Sequence, residues 1–175
     1  QIPKSFILNV GTVEERKNVL SAVKAIQNID THLVIVGGKT QYTKKVTQYI
    51  KNYKMENKVS FLKGLTTQEL AILYQSAQIF IYPSLFEGFG IPIIEALYSK
   101  TPVITSKKGC FSEAGGPHSV YVTPTDSREI AFHIRQLLSD KNLRNSITEK
   151  GFEYAQRFND EVIAKEVHQI YQSLV

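Results

Sequence analysis

A doubly wound parallel sheet with helices on both faces, a Rossmann-like three-layer α/β/α arrangement, is the fold class that three observations predict. Short apolar runs alternate with longer segments of helical period. The runs are apolar at successive positions, and glycine or proline closes the first four of them. A continuous apolar run marks a strand buried on both faces, and strand-helix alternation lays helices over both sides of a parallel sheet.

Taken in order, Phe6-Ile7-Leu8-Asn9-Val10 reads as a buried strand ending at Gly11. Asn18 to Gln27 follows as a helix, with Val19, Leu20, Val23 and Ile26 on one face. His32 to Val36 is the second strand, stopped by Gly37-Gly38, and Thr43 to Tyr53 the second helix. Val59 to Leu62 is the third strand, closed by Gly64. Thr67 to Gln75 is a helix capped by Thr66 or Thr67 with Glu69 close by. Ile79 to Tyr82 is the fourth strand, ending at Pro83; Pro92 opens the next helix, where a missing N–H costs nothing. Val103 to Thr105 and Val120 to Val122 are two more strands. Three helices, Glu129 to Leu138, Lys141 to Arg157 and Asp160 to Leu174, complete the chain.

The 175 residues match one domain at about 150 residues each, so residues 1–175 are expected to form one unit. Hydrophobic content of 42% with 21% charged residues excludes a disordered tail, a collagen or a coiled coil. A single cysteine, Cys110, excludes an internal disulfide framework and a cysteine-based zinc cluster, and points to a reducing, cytoplasmic compartment. No run approaches the roughly 18 apolar residues of a membrane span. The start of the chain, Lys4-Ser5-Phe6-Ile7-Leu8, is strand-like, unlike a signal peptide. A strand so close to the first residue, with no initial methionine, is expected of a piece of a longer chain. The net charge of +5 fits an anionic ligand or peripheral contact with the inner face of a membrane, although a solvated, lysine-rich surface explains it more simply.

Ligands of such sheets sit beyond the carboxyl ends of the strands, where the strand order switches. The loops to read therefore follow Val10, Val36, Leu62, Tyr82 and Thr105. The richest is Pro83-Ser84-Leu85-Phe86-Glu87-Gly88-Phe89-Gly90-Ile91-Pro92-Ile93-Ile94-Glu95-Ala96. Two glycines allow close backbone approach, and the helix start behind them presents unpaired N–H groups with partial positive charge, a setting that suits a phosphate. Glu87 in the loop and Glu95 one turn into the helix are expected to point into one crevice and to accept hydrogen bonds from sugar hydroxyls. Ahead of the first helix, Gly11-Thr12-Val13-Glu14-Glu15-Arg16-Lys17-Asn18 supplies two cations able to neutralise a diphosphate, Arg16 as a fork and Lys17 as a point charge.

These residues resemble the glutamate, seven residues, glutamate signature of the retaining glycosyltransferases with two Rossmann-like domains, the GT-B architecture. The resemblance runs from the Val10-Gly11 strand end to the last helix and matches that family's C-terminal, donor-binding half. It implies an N-terminal acceptor domain elsewhere in the full protein, a nucleoside-diphosphate sugar as donor and a carbohydrate or lipid-linked acceptor. It implies that Glu87 meets the transferred sugar, Glu95 the ribose, and the backbone of Gly88, Phe89 and Gly90 the sugar and diphosphate. Gly11, Arg16 and Lys17 would border the phosphates, the segment looking like an arginine-lysine-asparagine variant. Thr12 stands where many relatives carry arginine. Leu62 and Lys63 would hold the base through main-chain contacts. The resemblance implies neither metal nor cofactor, in keeping with the absence of an Asp-x-Asp triplet, and the variant suggests GDP-mannose, with UDP-sugars also open. Nothing indicates nucleic acid.

Two rival readings remain from the residues. Glu87 and Glu95 could be the paired carboxylates of a glycoside hydrolase, or the chain could be a nucleotide-binding module without turnover. Gly37-Gly38-Lys39-Thr40 is not a Walker phosphate loop, because Leu33 stands where that motif needs glycine; these glycines are expected to keep the site floor clear. Lys107, Lys108, Glu113, Gly115 and Gly116 form a loop flanking the sugar-phosphate by resemblance alone. Cys110 is expected to be inert. His32, His118, His133 and His168 lack metal-ligand spacing, and His118 is the one in a candidate loop. Val162, Val167, Ile170, Tyr171 and Leu174 make an apolar stripe seeking a partner.

Overall fold

The computed structural model describes residues 3–173. Six strands, β1 (Ile7–Val10), β2 (Leu33–Val36), β3 (Val59–Leu62), β4 (Ile79–Tyr82), β5 (Val103–Ser106) and β6 (Val120–Val122), form one sheet in the order β3-β2-β1-β4-β5-β6. Every pairing is parallel: Ile7 lies opposite Leu33 and Ile79, Leu33 opposite Val59, Phe80 opposite Val103, and Ile104 opposite Val120. The order reverses between β1 and β4, so the loops leaving those two strands diverge and open a crevice at their carboxyl ends.

Among the described residues five α-helices alternate with the strands and three follow the last: α1 (Val19–Ala25), α2 (Tyr42–Asn52), α3 (Thr67–Ser76), α4 (Ile91–Tyr98), α5 (Phe111–Gly115), then α6 (Ser127–Ser139), α7 (Lys141–Ala155) and α8 (Asp160–Ser173). Period-two side-chain alternation splits the core in two. Ile7, Leu33, Ile35, Ile79, Ile81 and Ile104 face one layer, beneath α1, α2 and α6. Leu8, Val34, Phe80, Tyr82 and Val103 face the other, beneath α3, α4 and α5. Helix α7 joins the layers, with Leu143 and Ile147 against the first and Ala155 in the second.

All six expected strands are present, within a residue of their expected ends. The helices differ in instructive ways. The first begins after Asn18, whose backbone is left-handed (φ 52°), because Glu15–Lys17 form a separate 3₁₀ turn that Asn18 ends. Thr66 is the cap of α3, in a full capping box with Glu69. Helix α4 starts at Ile91, with Gly90 as its cap and Pro92 second. Helix α6 starts two residues early because Asp126 accepts from the amides of Arg128 and Glu129. Helix α5 was not expected; five residues in a glycine-rich loop carry too little periodicity to announce it. Helix α8 is solvent-exposed along its whole length, leaving Val162, Val167, Ile170 and Tyr171 unburied, while Leu174 lies outside the described residues. No helix among the described residues is long and apolar enough to cross a membrane.

Candidate functional site

At the reversal point the loop after β1 and the loop after β4 are tied together. The amide of Leu85 donates to the carbonyl of Arg16 at 2.8 Å. Asn18, buried at the junction, donates from Nδ2 to the carbonyls of Pro83 (3.1 Å) and Pro124 (2.7 Å), while Ser21 Oγ donates to its Oδ1 at 2.9 Å. Asparagine tolerates the left-handed backbone here better than most side chains do. One residue thus fastens the loops after β1, β4 and β6. In sequence Asn18 stands beside the cations with no visible role, because its partners lie 65 and 106 residues away.

On this scaffold Arg16, Lys17 and Glu87 meet. Lys17 Nζ lies 2.6 Å from Glu87 Oε1, and Arg16 donates to Glu87 Oε2 at 2.6 Å, to Glu14 Oε1 at 2.7 Å and to the Phe86 carbonyl at 2.9 Å. The Lys17 stem runs beside Gly11, its Cε 3.5 Å from where a Cβ would stand. Burial alone would raise the Glu87 carboxyl, but hydrogen bonds from Lys17 and Arg16 outweigh it and hold the group below the usual carboxylate value. Tyr82 completes the cluster, accepting from Lys17 Nζ at 2.5 Å and donating to Glu87 Oε1 at 3.0 Å. In sequence this tyrosine is only a strand end, since its hydroxyl's reach beyond the sheet has no sequence signal.

Behind Glu87, the loop Gly88-Phe89-Gly90 leads into α4. Gly90 (φ 105°) caps the helix without a side-chain acceptor; its carbonyl takes the Ile93 amide at 2.8 Å and Pro92 has no N–H, which leaves the Ile91 amide for an outside partner. Gly88 is exposed with open space around it, and Phe89 packs edge-on against Phe158 at 5.7 Å.

Glu95 is elsewhere. It lies in a cleft of about 280 Å³ between α3 and α4, lined chiefly by Leu70, Ala71, Tyr74, Ile94 and Tyr98, and its Oε2 accepts from Tyr74 at 2.8 Å. Tyr74, bonded to Glu95, neighbours Phe80 at 5.3 Å between ring centroids, and Phe80 neighbours Tyr82, bonded to Glu87, at 5.8 Å. Arg16 and Lys17 close onto Glu87, and none of the three lines the cleft beside Glu95.

Leu62 lines a separate apolar recess with Leu65, Ile72 and Leu73, and its carbonyl accepts from Gly37 N–H at 3.0 Å. Lys63 is exposed just past the strand. The missing Cβ of Gly37 makes room for the Gly11 backbone. Cys110 Sγ lies 3.4 Å from the Glu87 carbonyl, and burial pushes its thiol up, away from a reactive thiolate. Lys107 pairs with Glu129 at 3.0 Å, away from the cluster. No three His, Cys, Asp or Glu side chains gather to hold a metal among the described residues.

The model of the Glycosyl transferases group 1 family matches residues 2–154 of this chain. The chain belongs to that family. Among its group 1 relatives, the O-antigen chain mannosyltransferase RfbU of Salmonella typhimurium is 38% identical over 127 residues, 71% of this chain and 36% of the relative. The sucrose-phosphate synthase of Thermosynechococcus elongatus superposes with a TM-score of 0.88 at 28% identity, over 99% of this chain and 46% of that one. Anabaena Alr3699/HepE, solved with UDP and glucose, gives a TM-score of 0.85 at 23% identity, over 97% of this chain and 49% of that one. The chain thus spans less than half the length of these glycosyltransferases, and its Rossmann-like sheet is that of a GT-B half.

Proposed function

We propose that this chain is the donor-binding half of a retaining glycosyltransferase that moves a hexose from a nucleoside-diphosphate sugar to an acceptor hydroxyl. One observation carries the reading: at the strand-order reversal, the loops after β1 and β4 bring Arg16, Lys17 and Glu87 into direct contact, three residues ahead of the glycine cap of α4. Family membership gives the reaction class.

In this reading the donor's diphosphate takes Arg16 and Lys17 as partners in place of Glu87, with the amides at Gly90 and Ile91 facing its oxygens. Glu87, released but still next to them, accepts hydrogen bonds from hydroxyls of the sugar. Glu95 and the cleft beside it take the ribose, and Lys63 borders the base. Transfer breaks the bond between the anomeric carbon and the β-phosphate oxygen, whose electron pair stays on the diphosphate. The acceptor oxygen bonds the same face of that carbon, and its proton leaves on the departing diphosphate. Negative charge grows on the leaving group, where Arg16, Lys17 and the helix start are pre-arranged to stabilise it without a divalent cation. The acceptor, a carbohydrate or lipid-linked sugar, binds on another domain of the whole protein, whose closure supplies proximity. The relative named as a mannosyltransferase favours GDP-mannose over a UDP-sugar.

Calorimetric titration of the chain in EDTA with GDP, UDP, GDP-mannose, UDP-glucose and the bare nucleosides tests this. Diphosphates are expected to bind at least tenfold more tightly than nucleosides, about 1.4 kcal/mol. Equal affinities would refute the phosphate assignment, and a requirement for added divalent cation would refute the metal-free reading.

A further inference from the structure

We propose that Tyr82 is a positioning residue of this site, whose phenol holds the Glu87 carboxylate and the Lys17 ammonium in register. The proposal rests on the donor-binding reading for its consequence and on geometry alone for its premise. Tyr82 is the last residue of β4 and 1% exposed. Its ring stacks on Phe80 with 5.8 Å between centroids and 20° between planes, and its carbonyl accepts from Thr105 Oγ1 at 2.9 Å. Backbone and ring are therefore fixed by the sheet, and only the hydroxyl emerges at the crevice.

Its two partners are carried by loops, not by the sheet. Glu87 sits in a loop whose Leu85 and Phe86 are 49% and 70% exposed and whose Gly88 is exposed as well. Lys17 ends a three-residue 3₁₀ turn. The phenol contacts both side chains at once, accepting from the ammonium and donating to the carboxylate. Burial and the Glu87 charge raise its pKa, so the proton stays on Tyr82 and the donor role persists at neutral pH. A buried hydroxyl that merely needed satisfying would require one partner. When a diphosphate draws Lys17 and Arg16 away, the hydrogen bond from Tyr82 is what still points Glu87 toward the sugar.

Tyr82→Phe removes the hydroxyl and keeps the ring. Two readouts are compared with wild type. In the absence of nucleotide, the Glu87 carboxyl is titrated by carbon NMR, its signal assigned with Glu87→Gln. Loss of the donor is expected to move its midpoint to higher pH. With nucleotide, the affinity ratio of GDP-mannose to GDP is expected to fall about five- to tenfold. Ile134→Val, buried in the opposite core layer, is the packing control, expected to lower thermal stability while leaving both readouts as in wild type. A folded Tyr82→Phe with unchanged titration and ratio overturns the proposal. So does loss of the fold in Tyr82→Phe, or an equal shift in Ile134→Val. A wild-type chain that binds no nucleoside diphosphate removes the donor reading, and the titration alone then decides the positioning role.

Discussion

The carbonyl oxygen of Gly11 lies 2.0 Å from the point that a Cβ on Gly37 would occupy. The two turns leaving β1 and β2 pack backbone on backbone, joined by the hydrogen bond from Gly11 N–H to the Val36 carbonyl at 2.8 Å. Because the obstacle is main chain, it cannot swing aside as a side chain would. Gly37→Ala should therefore displace the Gly11 turn and with it the Lys17 stem. Overpacking of this kind costs about 1–3 kcal/mol, read as a lower urea midpoint at unchanged slope, together with weaker nucleotide binding. Gly38→Ala, whose nearest neighbour is a Thr12 methyl at 3.9 Å, should do neither.

Asn18 offers a second test, of how the site is held together. Asn18→Ala strips the donor from the carbonyls of Pro83 and Pro124 and leaves a left-handed backbone without a side chain suited to it. Each orphaned buried group costs about 1–3 kcal/mol, so chemical denaturation should show a loss of about 2–4 kcal/mol with strain included. Asn18→Gly, which relieves the strain but not the lost hydrogen bonds, should fall between the two. If Asn18→Ala unfolds at the wild-type midpoint, the fastening role is wrong.

Acid should unfold the chain in a definite window. Glu87 is held below the ordinary carboxylate value mainly by Lys17 and Arg16 against the cost of burial. Glu129 is held at about 2, first by the Thr123 amide at 2.8 Å. A carboxyl with a depressed folded pKa stabilises fully above its unfolded value, near 4.5, and the gain drains away as pH falls through the folded value. Stability should thus be flat above about pH 5 and decline from there toward pH 2. Glu87→Gln and Glu129→Gln should each flatten part of the decline, measured as unfolding free energy against pH. A decline centred near neutrality would implicate histidines instead.

Local patterning made the sheet legible and left the site half-read. The four inner strands announced themselves because they are buried on both faces, so Ile79-Phe80-Ile81-Tyr82 needed no partner to be recognised, while the half-buried β3 and β6 were marked by short apolar runs. The loops were found by rule, from strand ends, and Arg16, Lys17 and Glu87 do meet there. What escaped depends on separations the sequence does not encode locally. The Asn18 carbonyl partners, the Gly11–Gly37 contact and the Tyr82 phenol between Lys17 and Glu87 all join segments that only the strand order brings together. Glu95 shows the same limit in reverse: eight residues after Glu87 and one turn into α4, it accepts from Tyr74, while Glu87 accepts from Tyr82 and the cations.

The ion pairs at Glu87 make a prediction that distinguishes its two duties. In the free chain its carboxylate already neutralises Arg16 and Lys17, so a diphosphate must compete with it for both cations. Removing a cation and removing the competitor should then act in opposite directions. Lys17→Ala should weaken GDP or UDP binding by about 1.5–3 kcal/mol, the worth of a hydrogen bond to a charged group. Glu87→Gln should strengthen binding of the free nucleoside diphosphate several-fold, because an uncharged amide holds the cations less firmly. The same change should erase any extra affinity for the nucleotide sugar and reduce transfer by the whole protein, since the sugar loses its acceptor. Calorimetry with diphosphate and sugar-diphosphate side by side reads both effects. If Glu87→Gln weakens the plain diphosphate as much as Lys17→Ala does, Glu87 is not a competitor but a support for the phosphate site, and the sugar-facing role proposed for it fails.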